Sequence, residues 1–561
     1  GVQTCALPIL ESDPPLKLAK DFKYIGKFDQ ALDSYEKCTG SSSFCIDQEL
    51  PNLQIATVFQ SPVFGGVLKK VDLSGLKKLP GVSDAMVFDD CVAVVCRSYW
   101  QCLKVRKLVT KEMLEWEAKD HLRVNTAQMQ SEYRERLEKV ELNLEEGEIH
   151  LNSEYYFPFL AHATLEPQSC TVHYHDNKLE IWAPSQNPSS VLGLAYKLTD
   201  VPRENISIHA PKFLGGGFGR RAFVDYIKCG IKIALKLATP IKVVWSREED
   251  FMHSPLRPMT LHQLDAKLDL KNKKIISWQH QIVGQSLLDS IAKDLVPYSL
   301  AASMPPIISN VASSTLQSVL NIYNPKSFLK GFDDQEYTFE IDAKTQQMES
   351  KIPSAFWRSV EHSFLGLVVE GFLDEIAHRF EKDPFSMRRS LLPKNSRSLQ
   401  VLEKVAEIGQ WKKARSPIRG GKRALGIACR RSFGTFVAEI ADVEVIDKEI
   451  KVHEFFAVVD CGQVINPEIV KRQIASGIIF GLSAALLQEI TFKDGVIEQD
   501  NFDSYPVMML EDSPNIQVFI MDSNEKPRGV GEPGLPPSLP AVANAIFRAT
   551  GQRLTSTPFR L

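Results

Sequence analysis

Apolar positions along this chain change their period repeatedly, and each change predicts a new element. Residues 53–59 and 85–88 are patterned as strands, and 92–95 is an unbroken apolar run, as in a strand buried on both faces. Residues 99–116 switch to helical spacing, with Leu103, Val105, Leu108 and Met113 as the apolar positions. Together these predict a small α/β unit. Residues 119–150 are rich in charge and read as a linker or an exposed helix. Beyond His150 the chain becomes dense in glycine, proline and strand patterns. Strands are predicted at 179–183, 206–210, 241–245, 439–445, 452–459 and 516–521. Helices are predicted at Asp225–Leu237, 368–378, 469–487 and 541–549. Residues 1–50 look irregular and polar, and 286–350 give the least readable pattern. No internal repeat or low-complexity tract is visible. The class is mixed α/β with more than one domain.

Composition narrows the function only slightly. Of 561 residues, 44% are hydrophobic and 24% charged, as in a large globular enzyme or scaffold. The 66 Lys and Arg nearly balance 69 Asp and Glu, leaving a net charge of −3. That gives no electrostatic footprint for nucleic acid and no basic membrane anchor. No window of about 18 consecutive apolar residues occurs, so no transmembrane helix is expected. Residues 1–10 lack the positive start and long apolar core of a signal peptide. The ten cysteines contain no C-x-x-C and do not suggest a disulfide framework. Cys91, Cys96 and Cys102 miss the spacing of an iron–sulfur run and read instead as small core residues.

Three clusters stand out. The first is 213–221 (FLGGGFGRR), lying between a predicted strand and a predicted helix. Gly215, Gly216 and Gly217 let the backbone approach a ligand closely, and their N–H groups can form an anion nest. Arg220 and Arg221 add fixed positive charge suited to phosphate. Arg220 stands where a dinucleotide fingerprint needs its third glycine, so that motif is absent, as is a Walker A loop. The second is 530–534 (VGEPG), in which Glu532 sits on a stiff, tightly turned backbone before an apolar helix. Partial desolvation there suits a carboxylate to general-base use; the plain alternative is a surface Glu in a turn. The third is 355–360 (AFWRSV), with Arg358 flanked by aromatics and suited to a carboxylate, a phosphate or substrate; otherwise it caps a packed segment. His162 and the pair His173/His175 invite a metal reading, but no third ligand is in sight, and no residue is assigned as a metal ligand. No G-x-S-x-G or H-E-x-x-H motif occurs.

Taken in order, many short segments resemble the molybdenum hydroxylases of the xanthine dehydrogenase and aldehyde oxidase family, above all large subunits of the isoquinoline 1-oxidoreductase type. The likeness runs from about residue 16 onward. It includes SPVFGG (61–66), AHATLEP (161–167), IWAPSQNP (181–188), GGGFGRR (215–221), VWSREED (244–250) and FWRSVEHS (356–363). It continues through SFGTFVAE (432–439), DCG (460–462), 473–483, 501–506 and VGEPG (530–534). No single piece decides the matter; their number and order do.

The resemblance implies an α/β fold with an irregular segment over 1–50 and a small hammerhead-like α/β domain over 51–149. Two molybdopterin-binding domains would follow, over 150–411 and 412–561. It implies a molybdopterin cofactor, in the cytosine dinucleotide form, that hydroxylates an N-heterocycle or aldehyde with oxygen from water. By motif, Glu532 would be the base and Arg358 would orient substrate or stabilise negative charge. Gly215, Gly216, Gly217, Phe218, Gly219 and Arg220 would border the cofactor, with Gly531 beside Glu532, and Gln473 and Gly477 would belong to a second cofactor-binding segment. The dithiolene, not protein side chains, would hold the metal. Electrons would leave through a separate small subunit carrying two [2Fe–2S] clusters.

Some positions depart from the family. Ala222 stands where purine-oxidising relatives place a Glu, which argues against xanthine, and Leu160 stands where they place a Gln. The segment 473–477 (QIASG) lacks an expected Glu-Gly. An N-terminal E-M-G-Q-G-like cofactor segment is not found, so the chain is expected to be a fragment of a longer enzyme. A second reading follows, of a cofactor-incompetent fragment or pseudoenzyme keeping only subunit contacts. The compartment stays open: periplasmic if the full-length protein carries a twin-arginine signal, otherwise cytoplasmic.

Overall fold

The computed structural model describes residues 17–27, 31–88, 91–287, 291, 293, 295–304, 312, 331–349 and 351–561. The reading of residues 1–10, and nearly half of the poorly legible 286–350 stretch, fall outside the described residues.

The N-terminal elements do not form a layer of their own. They make up one side of a seven-stranded sheet with strand order Val82–Val87, Val92–Cys96, Gln54–Phe59, Ile241–Val244, Ser169–His175, Lys178–Trp182 and Ile206–His209. Gln54–Phe59 joins the two halves, pairing antiparallel with Val92–Cys96 and parallel with Ile241–Val244. Because side chains alternate across a strand, Val92–Cys96 serves two cores at once. Val92, Val94 and Cys96 pack with Leu76, Cys102 and Val105. Ala93 and Val95 face the opposite core, with Ile227 and Ile231 of the Asp225–Leu237 helix. That double burial explains why 92–95 carries no polar residue. The predicted boundary between 149 and 150 falls inside the strand Glu148–Phe157.

A four-stranded sheet follows, in the order Asp342–Met348, Lys274–Gln285, Thr260–Asp269 and Glu148–Phe157. Another contains Lys422–Ser432, Thr435–Ile446, Glu449–Asp460 and Asn515–Ile520. The helix Ser538–Thr550 lies so close to this last sheet that a Cβ at Gly426 would come 2.1 Å from the Ala541 carbonyl oxygen. Between the layers runs His362–Arg379, buried along almost its whole length. Its Glu370 is fully buried and accepts from Arg388 Nε (2.7 Å), the Tyr337 hydroxyl (2.7 Å) and the Cys429 amide (3.2 Å).

Several local readings change. The predicted 99–116 helix ends at Leu108; after a turn closed on the Thr110 carbonyl, Leu114–Glu117 is a strand paired with Val67–Val71. The charged stretch 119–150 contains the helix Thr126–Arg134, whose Met129 and Tyr133 are buried. Cys91 and Cys229 are bonded, linking the sheet to the Asp225–Leu237 helix, whereas the sequence suggested no disulfide. Among the described residues one helix, Pro467–Leu486, is long and apolar enough to cross a membrane. Half of it is buried inside the fold, where it packs on Leu535 and Ser538 through Gly481.

Candidate active site

Four segments far apart in sequence meet at one place. The first is the Pro467–Leu486 helix, started by Pro467 and by the Asn466 side chain accepting the Ile469 amide at 3.0 Å. Gln473, Ser476, Gly477 and Phe480 fall at i, i+3, i+4 and i+7, which places them on one face of that helix. Gly477 is buried there, and a Cβ on it would meet Gly534 and Leu535 at 3.0–3.2 Å. The missing side chain lets the 530–534 loop lie against the helix.

The second segment contains Arg358 and an unusual turn. Ser359 and Val360 have φ of 74° and 48°, left-handed values that are rare for any side chain and strained for a β-branched one. Strain of this kind persists where the surroundings over-determine it. Here the Ser359 amide donates to Glu532 Oε1 (3.1 Å) and the Ser359 hydroxyl to the Glu532 carbonyl (2.9 Å). The strained turn therefore aims Glu532, whose Oε2 has no partner among the described residues. Arg358, 5% exposed, donates through Nε and Nη2 to the Gly531 carbonyl and through Nη1 to Ser476 Oγ (3.0 Å). Nη2 also reaches the Gln473 carbonyl and Oε1, both at 3.2 Å. Burial pushes this guanidinium down to about 10, with the nearby Glu532 charge working the other way. Every nitrogen of the fork is engaged within the chain. Arg358 is thus a clamp joining helix and loop, not a free group awaiting substrate.

The third segment is the glycine loop. Gly216 (φ 96°), Phe218 (φ 54°) and Gly219 (φ 107°) all take left-handed backbone. A Cβ at Gly219 would sit 1.8 Å from the Phe356 carbonyl oxygen, so only glycine fits between these segments. The loop is fastened from behind by residues the sequence reading passed over. Gln186 Oε1 accepts the Gly219 and Arg221 amides, and Glu166 Oε2 accepts the Gly215 amide. Phe218 stacks on Phe480 at 4.4 Å between centroids, and Phe480 stacks on Trp357 at 4.7 Å. These aromatics tie the three segments into one wall.

The two arginines of the loop differ from expectation. Arg220 is buried and forks onto Asp225 (2.8 and 2.9 Å), with Nε on Ser254. Arg221 is equally buried, on Gln168, the Gly216 carbonyl and the Glu166 carbonyl. Neither presents its charge to a ligand; both hold the loop's shape. What the loop does present is backbone. The amides of Gly216, Gly217 and Phe218 make no hydrogen bond to another described residue, and a Cβ at Gly529 or Gly531 would meet nothing within 4 Å. Beneath the loop, His162 donates through Nε2 to the Phe356 carbonyl (2.7 Å), leaving a buried Nδ1 without a partner. Burial pushes that ring down to about 4. Free amides and open glycine surface suit an anionic, multiply hydrogen-bonding ligand.

Glu166, Gln186, Ser359, Trp357 and Phe480 could have been found by asking why short segments such as AHATLEP and IWAPSQNP accompany the glycines. Phe480 follows from extending the helical period beyond Gln473.

Two regions match the molybdopterin cofactor-binding domain, residues 123–308 and 404–514, together more than half of the chain. Over 97% of its length the chain is 27% identical to the beta chain of isoquinoline 1-oxidoreductase from Brevundimonas diminuta, covering 69% of that protein. It is 25% identical to a membrane-bound aldehyde dehydrogenase of Gluconacetobacter polyoxogenes, covering 97% of this chain and 73% of that one. With a nicotinate dehydrogenase subunit of Pseudomonas putida the identity is 23%, covering 98% of this chain and 47% of that protein. The fold superposes on quinoline 2-oxidoreductase from Pseudomonas putida 86 with a TM-score of 0.76 at 13% identity, covering 96% and 97% of the two chains. For the aldehyde oxidoreductase from Desulfovibrio desulfuricans the TM-score is 0.72 at 13% identity, covering 94% and 79%. The free amides and open glycine surface fit the cofactor these domains bind, and the chain belongs to the molybdopterin-binding large subunits of the aldehyde oxidase and xanthine dehydrogenase family of molybdenum oxidoreductases.

Proposed function

We propose that this chain is the large subunit of a hydroxylase acting on an N-heterocycle or an aldehyde, with Glu532 as its base. The observation that carries this reading is the convergence on one spot of the glycine loop, the Phe218–Phe480–Trp357 wall and a carboxylate aimed by a strained turn. When bound, the cofactor supplies the oxygen-transfer and electron-accepting chemistry. Gly216, Gly217 and Phe218 would hold it through their amides, with Gly529 and Gly531 leaving room for it. Glu532 Oε1 stays on the Ser359 amide, while Oε2 is the atom left to take up a proton. Arg358 keeps the 530–534 loop at that distance, and the aromatic wall excludes water and offers flat apolar surface to a planar substrate.

The names of the relatives support the substrate classes, and their description as subunits supports a heteromeric enzyme. Electrons would pass to a small partner with [2Fe–2S] clusters, and the cofactor would be the cytosine dinucleotide form. Elemental analysis of protein co-expressed with its neighbouring small-subunit gene and the cofactor maturation machinery tests the reading. Near-stoichiometric molybdenum, release of a cytosine nucleotide on acid hydrolysis, and loss of oxidation in Glu532→Gln with metal retained are the expected results. A folded protein without molybdenum would favour a non-catalytic chain that keeps only subunit contacts.

A further inference from the structure

A second chemical cluster lies on the seven-stranded sheet, away from the residues just described. Ser169–His175 pairs antiparallel with Lys178–Trp182, which pairs parallel with Ile206–His209, the last strand on that side. Register sets which side chains share a face. His173 lies opposite Glu180, His175 opposite Lys178, and Trp182 opposite His209. With the two-residue period, His173, His175, Glu180, Trp182 and His209 all emerge on one side, while Val172, Leu179 and Ile181 fill the core on the other.

On that face, one donor atom from each of His173, His175 and Glu180 lies within 4.8 Å of the others. His175 Nε2 is 3.2 Å from Glu180 Oε2, and His209 Nε2 is 3.2 Å from Glu180 Oε1. The His173 and His175 rings lie 4.3 Å apart. Two ligands each about 2.1 Å from one ion stand at most ~4.2 Å apart. Closing from 4.8 Å therefore needs only a small rotation of half-buried side chains. The supports around the ligands match a metal site as well. His175 Nδ1 lies 3.5 Å from Asp176 Oδ2, the carboxylate–imidazole arrangement that fixes a ligating ring. His209 is stacked on Trp182 at 4.5 Å.

We propose that His173, His175 and Glu180, with His209 on the second carboxylate oxygen, form a site for a divalent late transition ion such as Zn²⁺. Imidazole nitrogens with one carboxylate select that class over Mg²⁺ or Ca²⁺. The bound ion would tie the sheet's last strands together, across hydrogen-bonded pairs that sequence spacing alone could not reveal; the third ligand missing from the sequence reading is Glu180.

The test is calorimetric titration of Zn²⁺ alone into the full-length chain after dialysis against EDTA, comparing wild type with His175→Ala, Glu180→Gln and, as control, the exposed His121→Ala. Folding of each variant is verified by circular dichroism. One equivalent should bind to wild type and to His121→Ala, with affinity reduced about tenfold or more in the other two. Cu²⁺ added to wild type should show nitrogen hyperfine coupling in its electron paramagnetic resonance spectrum, independently of any variant. Unchanged Zn²⁺ affinity in His175→Ala and Glu180→Gln, or Cu²⁺ bound without nitrogen coupling, would overturn the proposal.

Discussion

Replacing Arg358 separates a clamp from a substrate-binding group. Its guanidinium makes a forked bond to the Gly531 carbonyl, one bond to Ser476, and contacts to both the carbonyl and Oε1 of Gln473. A hydrogen bond from a charged donor contributes roughly 1.5–3 kcal/mol. Ser476 and Gly531 are exposed, so water can replace part of what they lose. Arg358→Met should therefore weaken the hold on the 530–534 loop by about 2–3 kcal/mol, not by the sum of all the bonds. If that hold is what places Glu532, kcat per bound molybdenum should fall roughly 30- to 150-fold, at about 1.4 kcal/mol per factor of ten. Arg358→Lys keeps the charge but not the fork, and should lose about tenfold. The assay is steady-state oxidation of an aromatic aldehyde or isoquinoline with an artificial electron acceptor, normalised to metal content. KM should stay within about threefold, because uniform substrate binding is not what the clamp supplies. A loss confined to KM, or a kcat within about twofold of wild type for Arg358→Met, would refute the clamp and restore Arg358 as a substrate contact.

Other predictions can be checked on stability or loading. Gly219→Ala forces a Cβ onto the Phe356 carbonyl at a left-handed φ, and should cost about 2–4 kcal/mol with loss of bound molybdenum, read by thermal unfolding and elemental analysis. Arg388→Met strands the fully buried Glu370 and should destabilise by about 3–5 kcal/mol in urea unfolding, whereas the double variant Arg388→Met/Glu370→Leu should recover much of that. Burial holds three histidines neutral: His162 at about 4, His280 at about 3, and His262 well below its usual value. Their unfolded forms bind protons from about pH 6.5 downward while the native forms do not, so stability should fall as pH drops from about 6.5 toward 4. For His162 alone, a displacement from 6.5 to about 4 corresponds to roughly 3 kcal/mol, and a stability that stays flat between pH 6.5 and 4 would contradict it.

Elements that bury a whole strand or a continuous helical stripe were legible in the sequence. The run 92–95 and the helix Asp225–Leu237 stand where their periods place them. Lys422–Ser432 was not, because its alternation is broken by Gly426, whose missing side chain admits a helix backbone, and by Arg430, which is buried. The candidate site was legible as motifs but not as roles. Glycine, arginine and glutamate in a tight cluster look like ligand-binding groups, yet whether a guanidinium faces out or in depends on partners such as Asp225 and Gln168, which no local spacing reveals. Seen in three dimensions, Arg220, Arg221 and Arg358 are scaffolding, while the amides of Gly216, Gly217 and Phe218 are what the loop offers.

The pairing of Gln54–Phe59 with Ile241–Val244 bears on how the chain is made. At ~5–20 residues per second, the first of these strands leaves the ribosome roughly 10–40 s before its parallel partner exists. Through that interval its apolar edge is a binding site for chaperones or for another nascent chain. The wait is longer still for Tyr156, whose amide donates to the Thr555 carbonyl. The candidate active site draws on residues 215–219, 358, 473–480 and 532, so no pocket exists until translation has passed the last of them. Cofactor insertion is therefore a late event on a nearly finished fold.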